Sequence, residues 1–439
     1  MSMSVSKNCP NFCLHCRAGY GTLNGERGIV MERQKVIFHI DVNSAFLSWE
    51  AVYRMTVEGE TEDLRLVPSI VGGDREKRHG VVLAKSSPAK KFGIVTGEPV
   101  TQALQKCPGL LVVPSRHHIY EYYSSKFMDI LKEYSPVVEQ YSIDEAFMDM
   151  TGMEKLFGEP VACAHQLKDR IKNELGFTVN VGISTNHLLA KMAGDFKKPD
   201  LVHTLFPEEI EQKMWPLPVE DLFFVGKATA AKLHTLGIHT IGNLAKSNRE
   251  MLHSHLKSTG DTIWKFANGI DEVVGGRKNQ EAKGYSNETT LAHDVTEREE
   301  AEDILLGLVE QVSGRLRADG KKAEVVSVGI KDAWFVSSSH QCVLPNPTAG
   351  TRELYEHACR LLSEFWDGKP IRLINFYVSR LTEEESRQIS LFDSTDYEKQ
   401  EKADAAMDAI RERFGAGAIK RAAFLKPGDG KSSKQPGQQ

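Results

Sequence analysis

The sequence predicts an α+β protein of several domains, and three patterns carry that prediction. Residues 36–183 give strand and helix signals in the order β-α-β-β-α-β, interrupted by one long insertion. Residues 284–380 run through the same order again without an evident sequence repeat. Between them, Pro216 and Pro218 open a stretch of short helical segments punctuated by glycine. A chain of 439 residues has room for about two to four domains, and a hydrophobic content of 41% can fill their cores.

The first strand is Val36-Ile-Phe-His-Ile-Asp41, followed by a helix that Asn43 or Ser44 can cap. Strands at 137–143 and 146–151 form a hairpin. A helix over 161–175 sets Leu167, Ile171 and Leu175 at helical spacing, and a strand at 177–183 closes a ferredoxin-like unit. Residues 57–136 are too long for a plain loop and hold a short strand (80–84), a small helix near Ala89 and a long helix over 117–133. Within 219–272, Val225-Gly-Lys-Ala-Thr-Ala-Ala-Lys-Leu233 precedes Leu236-Gly-Ile238. A glycine turn between short helices resembles a helix–hairpin–helix, whose backbone N–H groups, here at Gly226 and Lys227, can hold a DNA phosphate without reading sequence. The second unit is expected as strand 284–291, helix 297–318, strands 323–333 and 340–344, helix 351–366 and strand 371–380.

The hairpin Tyr141-Ser-Ile-Asp-Glu-Ala-Phe-Met-Asp-Met150 carries the chemistry. Apolar flanks bury its strands and leave Asp144 and Glu145 at the turn. Alone, such a pair reads as a solvated turn. A second acid, Asp41, at the end of another apolar strand favours a divalent cation between them, and hard oxygen donors favour magnesium over zinc.

A strand ending in Asp41, an aromatic five residues later at Phe46, and the later Ser-Ile-Asp-Glu-Ala-Phe hairpin resemble the active site of Y-family DNA polymerases, in particular the bacterial polymerase IV and V branch. The resemblance spans roughly residues 35 to 400. It implies a ferredoxin-like palm (35–56 and 137–215) with inserted fingers (57–136). A helical thumb (216–274), a linker (275–283) and a little finger with a second βαββαβ unit (284–381) follow, then a tail (382–439). It also implies low-fidelity DNA synthesis past damaged template bases, without proofreading, by a monomer acting on primer-template DNA and deoxynucleoside triphosphates. Asp41, Asp144 and the Val42 carbonyl would hold two magnesium ions ~4 Å apart, with Glu145 beside them. Phe46 would be the steric gate against a 2′-hydroxyl. Asn43, Ser44, Ala45, Ser87, Lys90 and Lys191 would complete the nucleotide site, with Lys191 on the β- and γ-phosphates.

The sequence departs from that family at four of these positions. In Ala84-Lys-Ser-Ser-Pro-Ala-Lys-Lys-Phe-Gly-Ile94, Ser87 and Lys90 stand where the family usually has Tyr and Arg, and lysine gives up the bidentate phosphate fork. Asn43 replaces a common acid and Ala45 a common aromatic, which predicts a looser sugar pocket. Gln388-Ile-Ser-Leu-Phe392, in an acidic segment expected to be flexible, resembles the pentapeptide by which bacterial polymerases hold the sliding clamp; Gln388, Leu391 and Phe392 would make the contact. Two rival functions share parts of the pattern: a palm-domain nucleotidyl cyclase, and a non-catalytic repair scaffold that should have lost the acids.

The net charge of −5 argues mildly against nucleic acid, but its distribution does not. Basic residues gather at Arg75, Lys77, Arg78, Lys85, Lys90 and Lys91, and again at Arg315, Arg317, Lys321 and Lys322. No apolar run approaches the ~20 residues of a membrane span, and no signal-peptide core opens the chain, so a soluble, cytoplasmic protein is expected. Seven scattered cysteines do not suggest a disulfide framework. Cys9, Cys13 and Cys16 have the spacing of a radical-SAM cluster motif, or with His15 could hold zinc. We expect instead that residues 1–34 are a disordered extension, or that the start codon is over-called and the true start is Met31.

Overall fold

The computed structural model describes residues 34–73, 80–272, 282–383, 397–415 and 418–419. Strand β1 (Ile37–Val42) leads through α1 (Ala45–Tyr53) into an insertion holding β2 (Ser69–Gly72), β3 (Val82–Lys85), α2 (Ser87–Lys90), α3 (Val100–Lys106) and β4 (Leu111–Pro114). Helix α4 (His117–Tyr134) returns to the hairpin β5 (Val138–Gln140) and β6 (Glu145–Asp149). Then come α5 (Glu154–Phe157), α6 (Pro160–Leu175), β7 (Val179–Ser184), α7 (His187–Asp195) and β8 (Val202–Thr204).

The main sheet has the order β5-β6-β1-β7-β8, the ferredoxin-like arrangement extended by one strand. All six residues of β1 are buried, because helices cover it on one side and α7 on the other. The parallel strand β8 is three residues long, too short to show a periodicity in sequence. The insertion forms its own sheet, β3-β2-β4, over a small core that includes Ile70, Val82, Ile94 and Val100.

Two expectations about this unit need correction. The family resemblance places α4 in the insertion, but Ile119, Tyr123, Phe127 and Leu131 recur at helical spacing and are buried in the same core as β1 and α6. It is the crossover helix of the sheet. Nor does either proposed residue cap α1 with its side chain: Ser44 sits in the left-handed region at φ 47° without a side-chain cap, and Asn43 is engaged elsewhere. Instead the Ser48 hydroxyl donates to the Asn43 carbonyl at 2.6 Å, closing the turn from inside.

Glycine lets α7 lie directly on β7. A Cβ at Gly182 would fall on the Ala190 carbonyl oxygen and the Gly194 nitrogen, and one at Gly194 would come within 2.9 Å of His39 Nδ1.

Short helices α8 (Lys227–Thr235), α9 (Ile241–Ala245), α10 (Arg249–Leu256) and α11 (Ser258–Ala267) follow, as expected. The second βαββαβ unit is β9 (Gly284–Val295), α12 (Arg298–Ala318), β10 (Lys322–Asp332), β11 (Ser337–Thr348), α13 (Thr351–Phe365) and β12 (Ile371–Thr382), in the antiparallel order β11-β10-β12-β9. The acidic tail, expected to be flexible, instead contains α14 (Tyr397–Phe414). Arg317 donates to Asp408 at 2.6 Å and reaches the buried Asp404 at 3.4 Å, so part of the expected basic DNA face is satisfied within the chain. No helix among the described residues is long and apolar enough to cross a membrane.

The close approach of α7 to β7 gives a first prediction. Gly182→Ala forces backbone against backbone and should lower the unfolding free energy by roughly 3 kcal/mol, read from urea or thermal melts; an unchanged melt would mean that α7 can slide.

Candidate active site

Strand register brings the acids together. Asp41, next to last in β1, faces Glu145, the first residue of β6, across the antiparallel ladder. Glu145 is therefore a strand residue and not part of the turn. Asp144 precedes it, and its carbonyl accepts the Val42 N–H at 3.0 Å. The Ser142 hydroxyl donates to Asp144 Oδ1 at 2.7 Å and accepts the Glu145 N–H at 3.0 Å, which shapes the turn.

Asp41 and Glu145 each lie against cationic groups. Lys198 donates to Asp41 Oδ2 and pairs with Asp195 at 2.9 Å. Glu145 Oε2 accepts from Lys191 Nζ at 2.5 Å and from His39 Nε2 at 3.2 Å. The acceptor is a carboxylate, so the His39 proton belongs on Nε2. His39 Nδ1 is buried without a partner.

Burial pushes the Asp41 carboxyl above its ordinary 3.8, with the Lys198 charge opposing it. Burial acts upward on Glu145 as well, but the His39 hydrogen bond and the Lys191 ammonium outweigh it and hold the group at about 2. At Lys198 burial acts downward, and the charges of Asp41 and Asp195 overcome it and lift the ammonium above its ordinary 10.5.

A cleft of about 410 Å³ opens over this corner. Asp41, Val42, Ser44, Ala45 and Phe46 line it from the β1–α1 junction, and Asp144 and Lys198 also border it. The insertion contributes Ser87 and Lys90, with Lys85, Ser86 and Thr96 beside them. Most of the sequence-derived nucleotide site therefore meets in one place.

Two of its members do something else. Asn43 borders the cleft, but its amide donates to Asn180 Oδ1 at 3.2 Å while its Oδ1 accepts from the Thr178 hydroxyl and the Asp200 N–H, each at 3.0 Å. Its side chain is committed to the fold. Lys191 is buried on α7 and bound to Glu145, away from the cleft lining, so the phosphate role expected for it does not fit its position. From the segment around α7, the lysine that borders the cleft is Lys198, which sequence reasoning missed. Its signal was present in Lys197-Lys-Pro199, a basic pair stopped by proline just past a helix end.

Among the described residues, no three His, Cys, Asp or Glu side chains converge as a ready-made metal shell. Lysines neutralise Asp41 and Glu145 in this structure. The donor set still fits a hard divalent cation: carboxylate oxygens border one cleft, and the Lys198 ammonium already rests on Asp41 as a stand-in positive charge.

Other predicted residues lie elsewhere. Gly226 and Lys227 are exposed at the start of α8. Gln388, Leu391 and Phe392, like Cys9, Cys13 and Cys16, lie outside the described residues. Cys107, Cys163, Cys342 and Cys359 are free thiols.

The fold is that of the Y-family polymerases: a solved Y-family DNA polymerase chimera superposes with a TM-score of 0.66 over 79% of this chain and 99% of that chain, at 22% identity. The chain belongs to the impB/mucB/samB family, which matches residues 40–195, with that family's C-terminal domain at 282–391 and its HHH motif at 207–238. Among curated relatives, a protein named DNA polymerase IV from Clostridium acetobutylicum is 48% identical over 396 residues, covering 89% of this chain and 98% of the relative. DNA polymerase IV 2 of Bacillus subtilis is 38% identical over 403 residues, covering 90% and 96%.

The paired acids also predict a pH response. Glu145 is held at about 2, below its ordinary 4.5, so its stabilising contribution is full above 4.5 and is lost as the pH falls toward 2. The gap in urea stability between wild type and Glu145→Gln should therefore be present at neutral pH and shrink by about pH 3. A gap independent of pH would show that the carboxylate charge contributes nothing.

Proposed function

We propose that this protein is a low-fidelity DNA-directed DNA polymerase that extends a primer 3′-hydroxyl with deoxynucleotides past damaged template bases. The observation that carries the proposal is Asp41 and Asp144 at a cleft that Phe46 borders, with Glu145 facing Asp41 across the strand ladder, in a chain of this family. Curated relatives that share nearly its whole length are named DNA polymerase IV. The rival readings fit less well. A nucleotidyl cyclase has no need of the helical unit or the second sheet, and a non-catalytic scaffold has no reason to keep all three acids.

Asp41, Asp144 and the Val42 carbonyl, with Glu145 alongside, would hold divalent metal, which we take to be two magnesium ions. When bound, they supply the positive charge that favours in-line attack by the primer hydroxyl and departure of pyrophosphate. The chain's own groups do the remaining work. Lys90, and Lys198 once released from Asp41, meet the triphosphate as point charges. Phe46 fills the space under the sugar and excludes a 2′-hydroxyl. The exposed start of α8 at Gly226 and Lys227 presents backbone N–H groups to a DNA phosphate. We take the enzyme to act as a monomer in the cytoplasm, held to its template by a sliding clamp through Gln388, Leu391 and Phe392.

Asp144→Ala and Glu145→Ala should each abolish primer extension, while DNA binding in a gel-shift assay persists because backbone contacts dominate non-specific affinity. Extension retained by either variant would remove that acid from the mechanism. Leu391→Ala combined with Phe392→Ala should abolish stimulation by a bacterial sliding clamp and leave clamp-free extension near wild type; stimulation that survives places the contact elsewhere.

A further inference from the structure

Phe46 is half-buried, and its ring is held from behind. Tyr120 lies stacked on it, with centroids 4.6 Å apart and planes 13° apart. His117 meets Phe46 edge-on at 5.9 Å, and Trp49 leans on it at 6.1 Å. Tyr120 is fully buried and does not line the cleft. Ala45 and Ser87, which line the same cleft, are small side chains.

The helix that carries Tyr120 is tied to the helix that carries Phe46. Glu50, one turn beyond Phe46 on α1 and fully buried, accepts from Arg116 at 2.5 Å, just ahead of α4, and from Arg54 at 2.9 Å. Arg116 also pairs with Glu58 at 2.5 Å. The Tyr120 hydroxyl points at the same Glu50 carboxylate, 3.4 Å away. A partly desolvated ion cluster of this kind fixes one geometry, because separating any member leaves a buried charge without compensation. The stack of Tyr120 on Phe46 is therefore set by the two helices and not by the rotamer of Phe46 alone.

We propose that Tyr120 is a positioning residue for sugar selection: its ring fixes the plane and height of Phe46, so exclusion of the 2′-hydroxyl depends on a side chain that never touches the nucleotide. This rests on the reading of Phe46 as the gate. A gate that works by exclusion must not yield, and a phenyl ring with two free torsions yields unless something packs against its far face.

The test is single-nucleotide primer extension, reading kcat/KM for a deoxynucleotide and for the matching ribonucleotide, with melts to certify folding. Tyr120→Phe keeps the stack and should keep the wild-type ratio. Tyr120→Leu should narrow the ratio about tenfold, mainly through a lower KM for the ribonucleotide. His117→Ala removes the exposed edge contact, where folding is not at stake, and should narrow it by a smaller factor. A folded Tyr120→Leu protein with the wild-type ratio overturns the proposal. If that variant does not fold, a wild-type ratio in His117→Ala overturns it instead. Phe46→Ala serves as the separate check: it should largely abolish discrimination, and if it does not, the gate reading itself fails and this proposal falls with it.

Discussion

Two carboxylates facing each other across a strand ladder are the constraint on which the rest of the first unit depends. Like charges directly opposite on neighbouring strands destabilise a sheet, and burial at Asp41 sharpens the penalty. The fold answers with one lysine for each acid, both from the segment after β7. Lys191 can reach Glu145 only because α7 lies against β7, and that approach requires hydrogen in place of a side chain at Gly182 and Gly194. Lys198 reaches Asp41 from the loop after α7, and Asn43 ties that loop down through Asn180 and the Asp200 N–H. An asparagine that looked like a weakened nucleotide contact is thus part of the frame that balances the acids.

The two answers differ in kind. The Glu145 partners are interior, with Lys191 and His39 both buried, and they hold the carboxylate ionised. The Asp41 partner borders the cleft and is partly exposed. A cation arriving in the cleft can therefore exchange with Lys198 without opening the core, whereas displacing Lys191 would leave a buried ammonium unpaired. Under the proposed function, Lys198 belongs to the changing part of the site and Lys191 to the fixed part.

Much of this was legible in the sequence. The order of strands and helices in both βαββαβ units was readable because alternation and helical spacing survive in β1, α6, α12 and β12. Asp41, Asp144 and Phe46 could be singled out because a motif ties them to strand ends, and the structure brings all three to one cleft. What escaped depended on direction or on distant partners. Lys191 and Lys198 are both lysines near α7, and spacing alone does not say which faces β6 and which faces the cleft. Helix α4 shows an amphipathic period, but a period does not name the sheet it covers. The acids of α14 looked like a solvated tether because Arg317, which pairs with Asp404 and Asp408, lies far away in sequence.

That last pairing bears on how an acidic protein meets DNA. Of the second basic cluster, Arg317 is held by α14, Lys321 pairs with Glu383, and Arg315 donates to the Ser286 carbonyl at 2.6 Å. Half of its charge, that of Arg317 and Lys321, is therefore matched within the chain before any phosphate arrives. Proposed DNA contacts are better sought where charge is not already matched or not needed: at the first turn of α8, whose backbone N–H groups attract an anion without net charge, and at Lys90 in the cleft. Affinity built this way follows the path of the backbone and ignores base identity. For an enzyme that must accept a template whose bases are damaged, that indifference is a physical requirement.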